Sequence, residues 1–241
     1  MIFCAPDMNL ATAEKFGVTP CIIVTMANKG KAAREALEER GGFVRMADIG
    51  LSLAIKGADA RKYIDFLREV RPHFAICPDA FGNFRETLRL WFRWAPLMRR
   101  YTEPVLVIHE PQKYPKQLKH VEDLGITRVA IPLRRHPDTP CAEAPRLCAD
   151  RAARAMDYLC GRVDHVHLLG PALKSLRLLL PRLRDCERQG TLVSFDTIAY
   201  RRAPDAATKR MMGGRWQPRS AEESLMLLDA WLRLALAQRP R

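Results

Sequence analysis

Two short apolar runs each end in a lone aspartate: Phe74-Ala75-Ile76-Cys77-Pro78-Asp79 and Leu192-Val193-Ser194-Phe195-Asp196. Runs of this length read as buried parallel strands, which puts each carboxylate at a strand's C-terminal end, where repeated β/α folds gather their chemistry. An aspartate in that place also caps the helix or turn that follows, so one alone says little. Two on different strands point to a paired-carboxylate site. Without a metal, one carboxylate can attack the anomeric carbon of a sugar while a second carboxyl manages the proton on the departing group. Aldol, isomerase and amidohydrolase sites place carboxylates there too, so glycosyl transfer is compatible with the pattern without being unique to it.

His109, Glu110 and Gly170 also fall at ends of apolar runs, and a barrel would gather them with Asp79 and Asp196 on one face. His165 and His167 stand two apart, on one face of a strand. A His-x-His pair of this kind fits a metal arrangement, so a metal-dependent barrel hydrolase is a competing expectation. No further ligand is marked by comparable spacing, and strand-face or packing roles are commoner for such histidines.

Positioning these groups requires strands alternating with helices, and short apolar runs do alternate with amphipathic segments through most of the chain. The pattern predicts strands at 2–4, 21–25, 74–77, 105–109, 128–133, 165–169 and 192–195, with an eighth near 47–55. Helical patterns cover 29–39, 59–70, 84–100, 115–124, 144–159 and 172–188, and a last helix, 221–236, would close the outer ring. Gly190 fits the C-terminal stop of a helix just before a strand. No Gly-x-Gly-x-x-Gly or Walker-type loop is present, and the expected fold is α/β, a compact or irregular single (β/α)8 barrel spanning residues 1–241.

The chain carries 40 Lys+Arg against 27 Asp+Glu, a formal charge of +13, which favours a polyanionic partner, nucleic acid first. Residues 199–220 break the alternation as a basic loop. Arg201, Arg202, Lys209, Arg210 and Arg215 there would hold phosphates, and Trp216 could stack on an unpaired base. Seven cysteines without a Cys-x-x-Cys pair read as small reduced core residues. The N-terminal residues lack the basic and apolar pattern of an export signal, and no segment approaches about 18 uninterrupted apolar residues, so a cytoplasmic protein without membrane spans is expected.

Taken in order, Pro78-Asp79-Ala80-Phe81-Gly82, Thr87 to Trp94, Val107-Ile108-His109, Leu124-Gly125-Ile126 leading into Val129-Ala130-Ile131, His167-Leu168-Leu169-Gly170 and Ser194-Phe195-Asp196-Thr197 resemble the tRNA-guanine transglycosylase superfamily. The resemblance covers roughly residues 74 to 200 as short motifs, and is closest to the branch that inserts 7-deazaguanine bases into DNA. It implies an irregular (β/α)8 barrel that exchanges guanine in DNA, or in RNA, for a base such as 7-cyano-7-deazaguanine, without net hydrolysis. By motif, Asp196 is similar to the nucleophile that attacks C1′ of the sugar. Asp79 is similar to the aspartate that contacts the exchanged base and handles its proton. Phe81 follows it in the base-binding motif, His109 takes the place of a base-reading glutamine, and Leu169 and Gly170 match the segment lining the purine pocket.

The sequence departs from the family pattern at several places. Ala80-Phe81-Gly82 replaces the usual Ser-Gly, and a further base-recognising aspartate has no clear counterpart. The usual zinc site after the nucleophile lacks its ligands, since the last cysteine is Cys186 and the last histidine His167, so no metal cofactor is expected. The chain is short for the family, which suggests a barrel working with a protein partner or as a homo-oligomer. The departures also motivate the alternative of a non-catalytic nucleic-acid-binding subunit.

Overall fold

In the computed structural model, residues 1–4, 10–25, 44–48, 60–109, 114–133, 144–196 and 221–236 are described. Eight parallel strands close into a barrel in sequence order: β1 (Ile2–Cys4), β2 (Thr19–Thr25), β3 (Val44–Asp48), β4 (Phe74–Ile76), β5 (Glu103–Val107), β6 (Arg128–Pro132), β7 (His165–Leu169) and β8 (Leu192–Asp196). Pairing of β8 with β1 completes the circle. The helices are α1 (Leu10–Phe16), α2 (Ala60–Val70), α3 (Phe84–Met98), α4 (Tyr114–Asp123), α5 (Ala144–Leu159), α6 (Leu173–Arg188) and α7 (Ala221–Leu236). The expected (β/α)8 architecture is therefore present, and the eighth strand is β3, lying earlier than the 47–55 window.

Side-chain alternation splits the strands into two cores. Phe3, Val24, Ala47, Leu106, Ile131, Val166, Leu168 and Phe195 point outward and pack under the helices with Leu67, Trp91, Met156, Leu179 and Trp231. Ile2, Cys4, Cys21, Met46, Phe74, Ile76, Val105, Val107 and Ala130 fill the barrel interior. The interior also takes His165, His167 and Ser194, all fully buried and all on the inward parity of β7 and β8. Helix α7 covers the closing seam, where Trp231 stacks on Phe3 with centroids 5.7 Å apart and Asp229 pairs with Lys15 of α1.

Gly190 ends α6 as expected. Its φ of +85° lies in the left-handed region that a side chain disfavours, and its N–H bonds the Glu187 carbonyl while Thr191 N–H reaches back to Cys186.

The cysteine expectation needs correction. Cys4 and Cys21 are register partners on β1 and β2 and form a disulfide, and Cys160 and Cys186 form a second. Separations of 17 and 26 residues carry no local signal, and only the β1–β2 pairing and the α5–α6 packing bring these thiols together. Cys77 and Cys148 are buried and take no part in these two disulfides. Helix 29–39 and the basic loop 199–220, with Arg201, Arg202, Lys209, Arg210, Arg215 and Trp216, lie outside the described residues, as does Glu110. Among the described residues, no helix is long and apolar enough to cross a membrane.

Candidate active site at the barrel mouth

Parallel strands in one barrel end on one rim, so Asp79, His109, Gly170 and Asp196 share the C-terminal mouth. Asp196 is the last residue of β8, two places beyond the buried, inward-facing Ser194, and is paired in register with Leu169 and Cys4. Its Oδ1 accepts two hydrogen bonds, from the Gly170 backbone N–H and from the His167 Nε2, each at 3.1 Å. The side chain keeps 20% of its surface exposed, so the carboxylate is anchored by one oxygen and open to the mouth. Gly170 can turn its N–H back because its φ is +62°, conformationally cheap only for glycine. The Leu169-Gly170 segment thus holds the carboxylate.

Across the barrel, Asp79 Oδ2 bonds His109 Nε2. The histidine is nearly buried and the aspartate 18% exposed. The loop carrying Asp79 is fixed from both sides. Asn83 N–H bonds the Ala80 carbonyl, and Asn83 Oδ1 caps α3 by accepting the Glu86 N–H. Thr87 Oγ1 accepts the Ala80 N–H at 3.0 Å and donates within the same turn. The turn projects Phe81, 52% exposed, edge-on to His109 with ring centroids 5.4 Å apart. An exposed aromatic ring beside a carboxylate–imidazole pair suits a flat, hydrogen-bonding ring such as a purine.

Three features of the rim and the interior beneath it were not read from the sequence. Asp48 ends β3 on the same parity as the interior residues Val44 and Met46, which adds a third carboxylate to the rim. Its signal is weaker than that of Asp79 or Asp196, because Arg45 interrupts the run Val44-Arg45-Met46-Ala47 that it closes. Tyr63 of α2 is fully buried, with its hydroxyl 3.0 Å from the Ile76 carbonyl and 3.3 Å from that of Ala47, tying the ends of β3 and β4. Burial first, then the charges of Asp48, Cys77 and Asp79, hold this phenol well above its ordinary pKa, so it stays a donor.

The third feature is the use made of the two histidines. His165 Nε2 and His167 Nδ1 both lie 2.6 Å from Ser194 Oγ, so one ring nitrogen of each is engaged with the serine, and the second nitrogen of His167 with Asp196. His165 packs edge-on against Phe74 at 4.8 Å. Burial, then the neighbouring His167 and Arg128, push its pKa down to about 3. Among the described residues no group of three or more His, Cys, Asp or Glu side chains could hold a metal ion. A cavity of about 480 Å³ lined by Asp157, Arg182 and Arg188 lies between α5 and α6, near their C-terminal ends and away from this rim.

The fold and its rim define a (β/α)8, or TIM-type, barrel with carboxylates at the C-terminal mouth. Comparison with protein-family profiles and with curated protein sequences finds no match. Solved structures do match in fold. A putative fructose-1,6-biphosphate aldolase from Coccidioides immitis aligns over 96% of this chain and 85% of its own, with 14% identity and a TM-score of 0.53. A D-psicose 3-epimerase from Clostridium cellulolyticum H10, solved with D-tagatose, aligns over 93% and 90%, with 11% identity and a TM-score of 0.50. At these identities the likeness speaks to the barrel alone.

Proposed function

We propose that the protein is a guanine transglycosylase-like enzyme that exchanges guanine in DNA for a 7-deazaguanine base through a covalent aspartyl-sugar intermediate, with RNA as the alternative polymer. The observation that carries the reading is the pose of Asp196, anchored through Oδ1 by two N–H donors with Oδ2 left for attack. Fixed donors on one oxygen orient a carboxylate without protonating it, as a nucleophile at an anomeric carbon requires.

In the first step Asp196 Oδ2 forms a bond to C1′ of the target nucleotide. The C1′–N9 bond breaks with its electron pair going to guanine, and a proton held between Asp79 and His109 passes to the departing base. The incoming 7-deazaguanine gives its N9 proton back to Asp79 or His109. Its nitrogen then attacks C1′ and releases the Asp196 carboxylate. Two displacements at one carbon retain configuration and consume no water. Phe81 would stack on the exchanged base, and the nucleotide must leave a duplex stack or start single-stranded.

The formal charge of +13 supports a nucleic-acid partner, and Arg201, Arg202, Lys209, Arg210, Arg215 and Trp216 are proposed as its contacts. No resident metal is needed by this chemistry, and a homo-oligomer or protein partner in the cytoplasm remains part of the proposal. The test incubates the full chain with a guanine-containing oligonucleotide and 7-cyano-7-deazaguanine, then runs a denaturing gel and analyses the bases. A trapped adduct and base exchange, both lost in Asp196→Asn, are expected. Tight, salt-dependent binding without exchange would instead favour a non-catalytic binding subunit.

A further inference from the structure

Beneath Asp196 a single file of polar groups descends into the barrel: Asp196 Oδ1, His167 Nε2 and Nδ1, Ser194 Oγ, and His165 Nε2. The file follows the β7–β8 register, in which His165, His167 and Leu169 stand opposite Leu192, Ser194 and Asp196. His165, His167 and Ser194 are all completely buried. The file ends at His165 Nδ1, which is buried and has no hydrogen-bond partner among the described residues.

Hydrogen counting gives this file one direction. An ionised carboxylate only accepts, so the hydrogen between Asp196 and His167 sits on Nε2. With His167 neutral, its Nδ1 carries a lone pair, and the Ser194 hydroxyl donates to it. That hydroxyl has then spent its only hydrogen and can meet His165 solely as an acceptor, which puts the His165 hydrogen on Nε2 and leaves a bare lone pair on Nδ1. The opposite arrangement, with hydrogens on both His167 nitrogens, turns the serine round and makes it donate to His165 Nε2. The hydrogen of His165 then moves to Nδ1, where a buried donor would have no acceptor. An orphaned lone pair is the better tolerated end.

We propose that Ser194 and His165 are positioning residues that pin the His167 ring through Nδ1 with its hydrogen on Nε2, so that Asp196 keeps Oδ1 bound and Oδ2 aimed at the mouth. Neither residue touches substrate, and both act through His167. The role given to Oδ2 rests on the exchange reading above, whereas the tautomers do not.

Two measurements on the full chain separate the two claims. Two-bond ¹H–¹⁵N spectra of the histidine rings at neutral pH should give Nε2–H for both His165 and His167. In Ser194→Ala the His167 ring, no longer pinned at Nδ1, should swing off Asp196 and so lose its single tautomer, and the rate of adduct formation should fall about tenfold at saturating oligonucleotide with KM unchanged. Ser194→Thr, which keeps the hydroxyl, should restore both. If Ser194→Ala fails to fold, His165→Leu, which takes the donor away from the serine, should loosen the His167 tautomer and slow adduct formation. His165→Gln, whose amide still donates, should retain both, and an unchanged tautomer and rate in His165→Leu overturns the proposal. A hydrogen on Nδ1 of His167 in the unmodified chain overturns the proposal, as does an unchanged tautomer and rate in Ser194→Ala. If the unmodified chain forms no adduct, the exchange reading fails and the ring spectra alone uphold or overturn the lock.

Discussion

His167 on β7 bonds Asp196 across the β7–β8 pair, Nε2 to Oδ1 at 3.1 Å, although 29 residues separate them. That bond turns a strand-end aspartate into an oriented one, and the strongest functional prediction follows from it. Asp196→Asn keeps the shape and the Oδ1 contacts but removes the negative charge, so base exchange should drop by about 10⁴-fold or more and the adduct should vanish. Quantifying exchanged base by mass spectrometry checks this, and residual exchange near the unmodified rate would remove Asp196 from the role of nucleophile.

Asp79 is expected to behave differently. In the proposed exchange its carboxylate, paired with His109, manages a proton rather than forming a bond. Asp79→Asn should slow adduct formation about 10²-fold while leaving the adduct detectable, as loss of general acid–base help does. Single-turnover rates measured alongside Asp196→Asn distinguish the two. Equal and complete loss in both variants would argue against the division of labour.

Phe81 gives a binding prediction. Its exposed ring beside His109 offers a stacking face, and stacking on an aromatic side chain contributes about 1–3 kcal/mol per base. Phe81→Ala should therefore raise KM for the incoming base about fivefold or more with a smaller change in kcat, and Phe81→Tyr should be nearly neutral. An unaltered KM in Phe81→Ala would place the base elsewhere.

His165 makes stability depend on pH. Its pKa is held down at about 3, mainly by burial, against 6.5 for an unperturbed histidine. Between those values the unfolded chain binds a proton that the native chain refuses. The stabilisation is thus fully present above pH 6.5 and is lost as pH falls towards 3, at up to about 1.4 kcal/mol per pH unit from this group. Urea midpoints taken from about pH 7 down to about pH 4 should show a shallower decline in His165→Gln than in the unmodified chain. Parallel slopes would rule out His165 as the source.

Tyr63 predicts a purely structural effect. Tyr63→Phe removes a buried donor that serves the Ile76 and Ala47 carbonyls, at a cost of about 1–2 kcal/mol. A lower urea midpoint with an unchanged slope is the expected readout. An unchanged midpoint would mean that the hydroxyl adds nothing to the junction of β3 and β4.

The sequence by itself determined the alternation of strands and helices, because burying a parallel strand on both faces demands apolar runs and covering it demands amphipathic helices. It also determined that Asp79 and Asp196 close two such runs. The helix stop at Gly190 and the last helix over 221–236 were legible for the same reason, being local in origin. Tertiary structure alone decided who meets whom. Barrel register put Ser194 between His165 and His167 and joined the three in a hydrogen-bonded file. Pairing of β1 with β2 joined Cys4 to Cys21, and the position of β3 delivered Asp48 to the rim. These relationships depend on strand neighbours and on a stagger set by the whole circle, and no window of sequence contains them.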